Sequence, residues 1–251
     1  FSFKDILYNV FYIGRAYMSK LRDHYLFHAG ISCFFYLGYG AFTVVLSMYC
    51  QDIGMSASQI AYIVSFAPLL SIATQPFFGY LADKWQSPRK VSILLSFANM
   101  LCMFIFAISR NFWILLLSSG LAVSFMNAVT PLTDRIGVSS PYQFGKIRLW
   151  GSVGYAIMAQ VSGLLYQYIS PFANFMAGIL GTLITIICIY MVSDPKLSEV
   201  PEKEENKLST VVVMKELVHN IPFMLFLVIS FFFWGACSTN FNYLSLFIKS
   251  Q

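Results

Sequence analysis

The chain has 251 residues, of which 58% are hydrophobic and only 11% charged, and its mean hydropathy is +0.68. Soluble domains sit near about 45–50% apolar, so a water-soluble globular domain is excluded and a membrane protein is expected. The net charge of +5 does not point to a nucleic-acid partner, because the cations follow membrane topology, and the five cysteines show neither metal nor disulfide spacing.

Residues 1–23 mix aromatic residues with Lys4, Arg15, Lys20 and Arg22, the pattern of an interfacial N-terminal segment lying on an anionic lipid leaflet. A spanning helix needs about 20 apolar residues. Seven stretches qualify, at 24–49, 58–80, 91–109, 112–134, 145–168, 171–192 and 221–248. Pro68, Pro76 and Pro131 fall inside spans, where membrane helices tolerate proline as a packing or cavity-lining kink. His24 and His28 open the first span; with no third ligand in view they read as interfacial rather than metal-binding. The region 193–220 holds the one charge-dense polar stretch, DPKLSEVPEKEENKLS, and reads as a cytoplasmic linker. Residues 1–23 do not read as a secretory signal with a small-residue cleavage site, and a chain opening on Phe1 is expected to be a piece of a longer protein.

Fourteen of the sixteen Lys and Arg residues lie in the N-terminal segment, the 81–90 loop, the 135–148 connection and the linker, leaving only Arg110 and Lys249 opposite. This asymmetry predicts a multi-pass protein of the cell membrane with a cytoplasmic N-terminus. The first span contains FFYLGYGAFTVVLSMY and the seventh FFFWGACSTNFNYLSLF. Their likeness suggests a parallel internal repeat, in which the seventh span starts a second copy. The expected domains are therefore an interfacial segment at 1–23, a six-helix transmembrane bundle at 24–192, a linker at 193–220 and a further helix at 221–251.

Two motifs carry chemistry. The first is GYLADKWQSPRK at 79–90, between the second and third spans. It resembles the Gly-x-Leu-Ala-Asp-Arg/Lys-x-Gly-Arg-Lys loop of the major facilitator superfamily, with Gly79, Asp83, Lys84, Arg89 and Lys90 in matching places. Gln86 stands where that loop has glycine, and the loop is slightly longer. The resemblance implies a major facilitator fold: an all-α membrane protein with a six-helix N-terminal bundle plus the first helix of a second bundle, the rest of a twelve-helix protein being its missing partner half. It also implies that this loop gates. Physically, Asp83 suits a cation or a helix N-terminus and Arg89 a carboxylate.

The second motif is FGKIRLWGSVGYA at 144–156. It is similar to the start of the fifth helix in lactose permease and related transporters of oligosaccharides, nucleosides and aromatic acids, which share a Phe-Gly-Arg-x-Arg-x-aromatic-Gly pattern, with Lys146 here in place of the first arginine; the oligosaccharide:proton symporters are the group it resembles most. The resemblance places Arg148 and Asp134 at a sugar-binding pair, and Tyr155 where a ring stacks on the sugar. The residues give a parallel argument. At about 100° per residue, Arg148, Ser152 and Tyr155 share one arc of their helix, and Asn127, Thr130 and Asp134 share one of theirs. Brought together by the short 135–144 connection, which should make the two helices antiparallel neighbours, these faces would line a polar cavity. The residues alone leave two readings open, since Asp134 and Arg148 also fit the rim of the membrane, where charges are ordinary. Gly145, Gly151 and Gly154 suit close helix approach. Asn240 in the seventh span suits either a cavity or a neighbouring helix.

The expected function is secondary active transport of a small polar solute. The resemblance specifies it as proton-coupled sugar or oligosaccharide symport by alternating access. Nucleosides, aromatic acids or drugs on the same fold are the alternative, as is a non-transporting membrane sensor or scaffold. No nucleotide loop or catalytic triad is present to suggest a pump or an enzyme, and no cofactor is implied beyond a proton gradient. The expected partners are a small-molecule substrate and membrane lipid.

Overall fold

A computed structural model describes residues 22–195 and 218–250, with side chains described up to 237. Residues 1–21 of the segment expected to be interfacial, residues 196–217 of the expected linker and the side chain of Asn240 lie outside the described residues. The chain divides into two units, 1–196 and 197–251.

The first unit holds six helices: α1 (Tyr25–Asp52), α2 (Ala57–Lys84), α3 (Pro88–Ile108), α4 (Phe112–Val138), α5 (Phe144–Tyr168) and α6 (Pro171–Tyr190). The second holds α7 (Ile221–Ser250), and no strand occurs among the described residues. Each helix covers one expected span. α1–α4 and α6 are long and apolar enough to cross a membrane. α5 has the length, about 37 Å at 1.5 Å per residue, but less apolarity, because Lys146, Arg148, Gln160, Gln167 and four glycines interrupt it.

Local chemistry sets the boundaries. Ser56 and Gln59 form a capping box at the start of α2, the Gln59 backbone N–H donating to Ser56 Oγ at 3.3 Å and the Ser56 N–H to Gln59 Oε1 at 2.9 Å. Ser87 and Ser170 cap α3 and α6, each followed by a proline at the first helical position. His24 caps α1 through Nδ1, while His28 is buried with its ring edge-on to Tyr142 at 5.8 Å, inside the packing rather than at an interface.

α1 is the hub, packing on α5 along one side and α6 along another; α3 joins α6 to α4, and α4 carries α2. The core where α1, α3 and α6 meet is aromatic: Phe42, Phe106 and Phe175 are fully buried with ring centroids 5.1–5.8 Å apart. Asn174 donates to the Ala41 carbonyl inside this apolar cluster, a bond with no water to compete for it. Small residues set the helix spacing. A Cβ on Gly154 would run into the backbone carbonyl of Cys33, and one on Gly38 would lie 3.1 Å from the Gly178 carbonyl. Gly145, by contrast, faces open space, so it does not serve the close approach expected of it.

The sequence expectation that α4 and α5 are packing neighbours needs correction. α5 lies on α1, because Gly154 lets the α1 backbone in and Gly151 makes room for the Tyr36 ring, while α4 is occupied by α2 and α3. Polar bonds hold the α2–α4 seam: Thr74 Oγ1 lies 2.9 Å from Ser124 Oγ, and Asn127 Nδ2 donates to Ser71 Oγ at 3.0 Å.

Candidate functional site

α5 begins in an electrostatically awkward way. Its cap residue Gln143 makes no side-chain cap bond, and no acid lies in the first turn. Two cations, Lys146 and Arg148, sit instead near the helix N-terminus, where the helix dipole disfavours positive charge. Lys146 is exposed and escapes to the surroundings. Arg148 turns inward and finds compensation: its Nη1 donates to Asp134 Oδ1 at 3.1 Å. The two side chains remain 38% and 33% exposed, so the pair lies at the edge of the bundle rather than in a sealed core.

A third element completes this arrangement. The Arg148 guanidinium carbon lies 4.6 Å from the centroid of the Tyr36 ring on α1. Arg148 therefore draws α1, α4 and α5 to one point, although α4 and α5 pack mainly elsewhere. Further along α5, the Tyr155 ring lies against Gly40 of α1, where a Cβ would come 3.3 Å from ring Cδ2. Tyr155 also interacts with Thr43 and Tyr39 of α1. Ser152, between Arg148 and Tyr155, is exposed. The result is a row of α5 side chains against α1: Arg148, paired with Asp134 of α4, at one end and the Tyr155 ring about two turns further on.

The other expected residues are placed as follows. Asn127 is engaged with Ser71 across the α2–α4 seam. Thr130 is half-buried, its hydroxyl donating to the Met126 carbonyl of its own helix at 3.1 Å. No hydrogen bond ties either to the Asp134–Arg148 pair. Tyr36 was not legible as a site residue, since it sits in an aromatic run with Phe34 and Phe35 that reads as ordinary membrane helix.

The loop between α2 and α3 forms a second polar cluster. Asp83 pairs with Arg135 near the end of α4, Oδ1 to Nη1 at 2.6 Å. The carboxylate expected for Arg89 exists, but it meets the backbone: Asp194 accepts the Arg89 N–H at 3.1 Å and the Ser87 hydroxyl at 2.8 Å, capping α3. The Arg89 guanidinium instead donates to the Tyr190 carbonyl at 2.8 Å and lies over the Tyr190 ring. Next to this clasp, Asp23 receives the Ser193 N–H and hydroxyl at 2.6 and 2.7 Å. Gly79 faces open space, and Lys84 and Lys90 are exposed. Gln86, in the place of the loop glycine, adopts φ +49°.

Comparison with known proteins agrees with this layout. The chain is 27% identical over 242 residues to the uncharacterized transporter YwbF of Bacillus subtilis, covering 92% of the chain and 58% of YwbF. It is 28% identical over 220 residues to the maltose permease of Geobacillus stearothermophilus, covering 85% of the chain and 54% of the permease. The chain thus spans little more than half the length of these relatives. Its fold matches the crystal structure of nucleoside transporter NupG with a TM-score of 0.75 over 90% of the chain and 58% of NupG, at 18% identity, a likeness of fold alone. The MFS_1 like family matches residues 26–251, and the chain, a multi-pass membrane protein with the major facilitator fold, belongs to that family.

Proposed function

We propose that the protein is a secondary active transporter of an uncharged polyhydroxylated solute, a sugar or oligosaccharide, moved together with a proton by alternating access. The observation that carries this reading is the half-exposed Asp134–Arg148 pair beside the Tyr36 ring, with Tyr155 about two turns further along α5. The pair is electrically compensated, so it has no net charge with which to attract an anion or a cation. It keeps unused hydrogen-bonding capacity: a guanidinium has five N–H donors and a carboxylate about four acceptor sites, and one bond joins these two. Neighbouring hydroxyls on a sugar offer donor and acceptor together, and an aromatic ring beside them suits the apolar face of a pyranose. The relative named as a maltose permease supports the same solute class. On this reading the 79–90 loop is cytoplasmic and gates, the N-terminus is cytoplasmic, and a second helical bundle completes the cavity.

The test is uptake by the full-length protein in membrane vesicles, with and without an inward proton gradient. Maltose and other oligosaccharides are compared with a nucleoside, an aromatic acid and a hydrophobic drug. Saturable oligosaccharide uptake that rises with the gradient is expected. Uptake or export of only the acid or the drug would overturn the solute class, and uptake indifferent to the gradient would overturn the coupling.

A further inference from the structure

The geometry points to Tyr36 as a positioning residue that fixes the plane of the Arg148 guanidinium, an inference resting on Arg148 as a substrate-binding group. One hydrogen bond to Asp134 leaves a guanidinium free to turn about that bond. The Tyr36 ring removes this freedom by covering the group at 4.6 Å from Cζ, within cation–π range. The ring itself is held. Its edge sits in a notch at Gly151, three residues along α5 from Arg148: a Cβ there would lie 2.7 Å from ring Cδ2 and 3.2 Å from Cε2. Phe35 meets it edge-on at 5.1 Å and Tyr39 lies beyond at 6.3 Å.

The consequence concerns which donors stay available. A guanidinium and a carboxylate left to themselves favour a two-bond fork, which spends on each other the groups a substrate needs. The ring and Gly151 together hold the pair at one bond. The absence of a side chain at Gly151 is thus part of the binding wall, although glycine contacts no substrate.

The experiment uses the full-length protein in membranes. Two readouts are taken for Tyr36→Phe, Tyr36→Leu, Gly151→Ala and the double variant Tyr36→Leu/Gly151→Ala. The first is the rate of phenylglyoxal modification of Arg148, followed by mass spectrometry of the Arg148 peptide. The second is KM and maximal rate of uptake. Tyr36→Phe keeps the ring face and should leave the rate of Arg148 modification unchanged. Tyr36→Leu uncovers the guanidinium and should speed modification several-fold and raise KM roughly tenfold, with little change in maximal rate per molecule inserted. Gly151→Ala should resemble Tyr36→Leu, and the double variant should be no worse than either. Unchanged Arg148 reactivity in Tyr36→Leu would overturn the inference, as would Arg148 modification in Tyr36→Phe as fast as in Tyr36→Leu. Faster modification with unchanged KM would uphold the positioning of Arg148 and overturn its role in substrate binding.

Discussion

Asp83 Oδ1 lies 2.6 Å from Arg135 Nη1, tying the loop after α2 to the end of α4, with 64% and 36% of the two side chains exposed. An ion pair so open to solvent adds about 0–1 kcal/mol of stability. Asp83→Asn is therefore expected to change the thermal stability of the detergent-purified protein by no more than a few degrees. If the loop gates, the same variant should cut the uptake rate far more than stability. Exchanging the charges, Asp83→Arg with Arg135→Asp, should restore much of the rate. A rate that falls only in proportion to folded protein would reduce the pair to an ordinary surface contact.

Gln86 holds φ +49° in the same loop. A left-handed backbone costs an L-residue roughly 1–2 kcal/mol, and glycine avoids this. Gln86→Gly should raise the unfolding temperature, by an amount worth up to about 1 kcal/mol once glycine's greater freedom in the unfolded chain is subtracted. Gln86→Val, stiff at Cβ, should lower it. Equal stability of all three proteins would show that the loop relaxes freely.

These two residues mark what the sequence makes legible. Gln86 is identifiable as a departure because the resembled motif has glycine there, and its backbone is left-handed, a conformation that glycine adopts freely. The helices were legible because a spanning segment must satisfy its own backbone and needs a long apolar run. Asp134 and Arg148 stand out as charges at the end of one such run and the start of the next. Partners were harder to read. Asp194 as the cap of α3, and Arg135 as the mate of Asp83, depend on which helix ends meet, and charge near a membrane rim carries no such address. Tyr36 is one aromatic among many on α1, and only its contacts with Arg148 and the Gly151 notch distinguish it. Asn127 shares a helical arc with Asp134, yet a hydroxyl on α2 claims it.

Glycine substitutions along α5 should separate packing from exposure. At Gly154 a methyl group would meet the Cys33 carbonyl, which belongs to backbone and has little room to move. At Gly163 and Gly145 nothing lies within 4 Å. Gly154→Ala should lower membrane expression and thermal stability markedly, since overpacking costs about 1–3 kcal/mol. Gly163→Ala should be neutral or stabilising by up to about 1 kcal/mol through helix propensity. A tolerated Gly154→Ala would mean that α1 and α5 are free to separate.

The proposed orientation is open to labelling with a membrane-impermeant thiol reagent. Cys50 is unsuitable because it is fully buried, and Ser87 is buried and bonded to Asp194. Gln51 and Lys84 are exposed at opposite ends of the bundle's first two helices. In a background with the five native cysteines replaced, Gln51→Cys should react in intact cells, and Lys84→Cys only after the membrane is opened. The reverse pattern would invert the topology drawn from the Lys and Arg distribution.

The sharpest test concerns the cation at the head of α5. Arg148 stands near a helix N-terminus that disfavours it, so something must hold it there; Asp134 and the Tyr36 ring do. Two roles account for such an arrangement. As a topological anchor, Arg148 needs only its charge, and lysine supplies that. As a binding group it needs a planar fork that bonds a carboxylate and still offers donors to a substrate, which lysine does not supply. Arg148→Lys should therefore insert normally yet lose substrate affinity by tenfold or more, the effect of about 1.4 kcal/mol. Asp134→Asn keeps the shape of the side chain but leaves the guanidinium uncompensated, and should fail similarly. Lys146→Gln removes the exposed neighbouring charge and should change affinity little. Affinities of the three variants, normalised to protein in the membrane, decide the matter: normal binding by Arg148→Lys and Asp134→Asn would remove the pair from the substrate site and leave it a structural tie between α4 and α5.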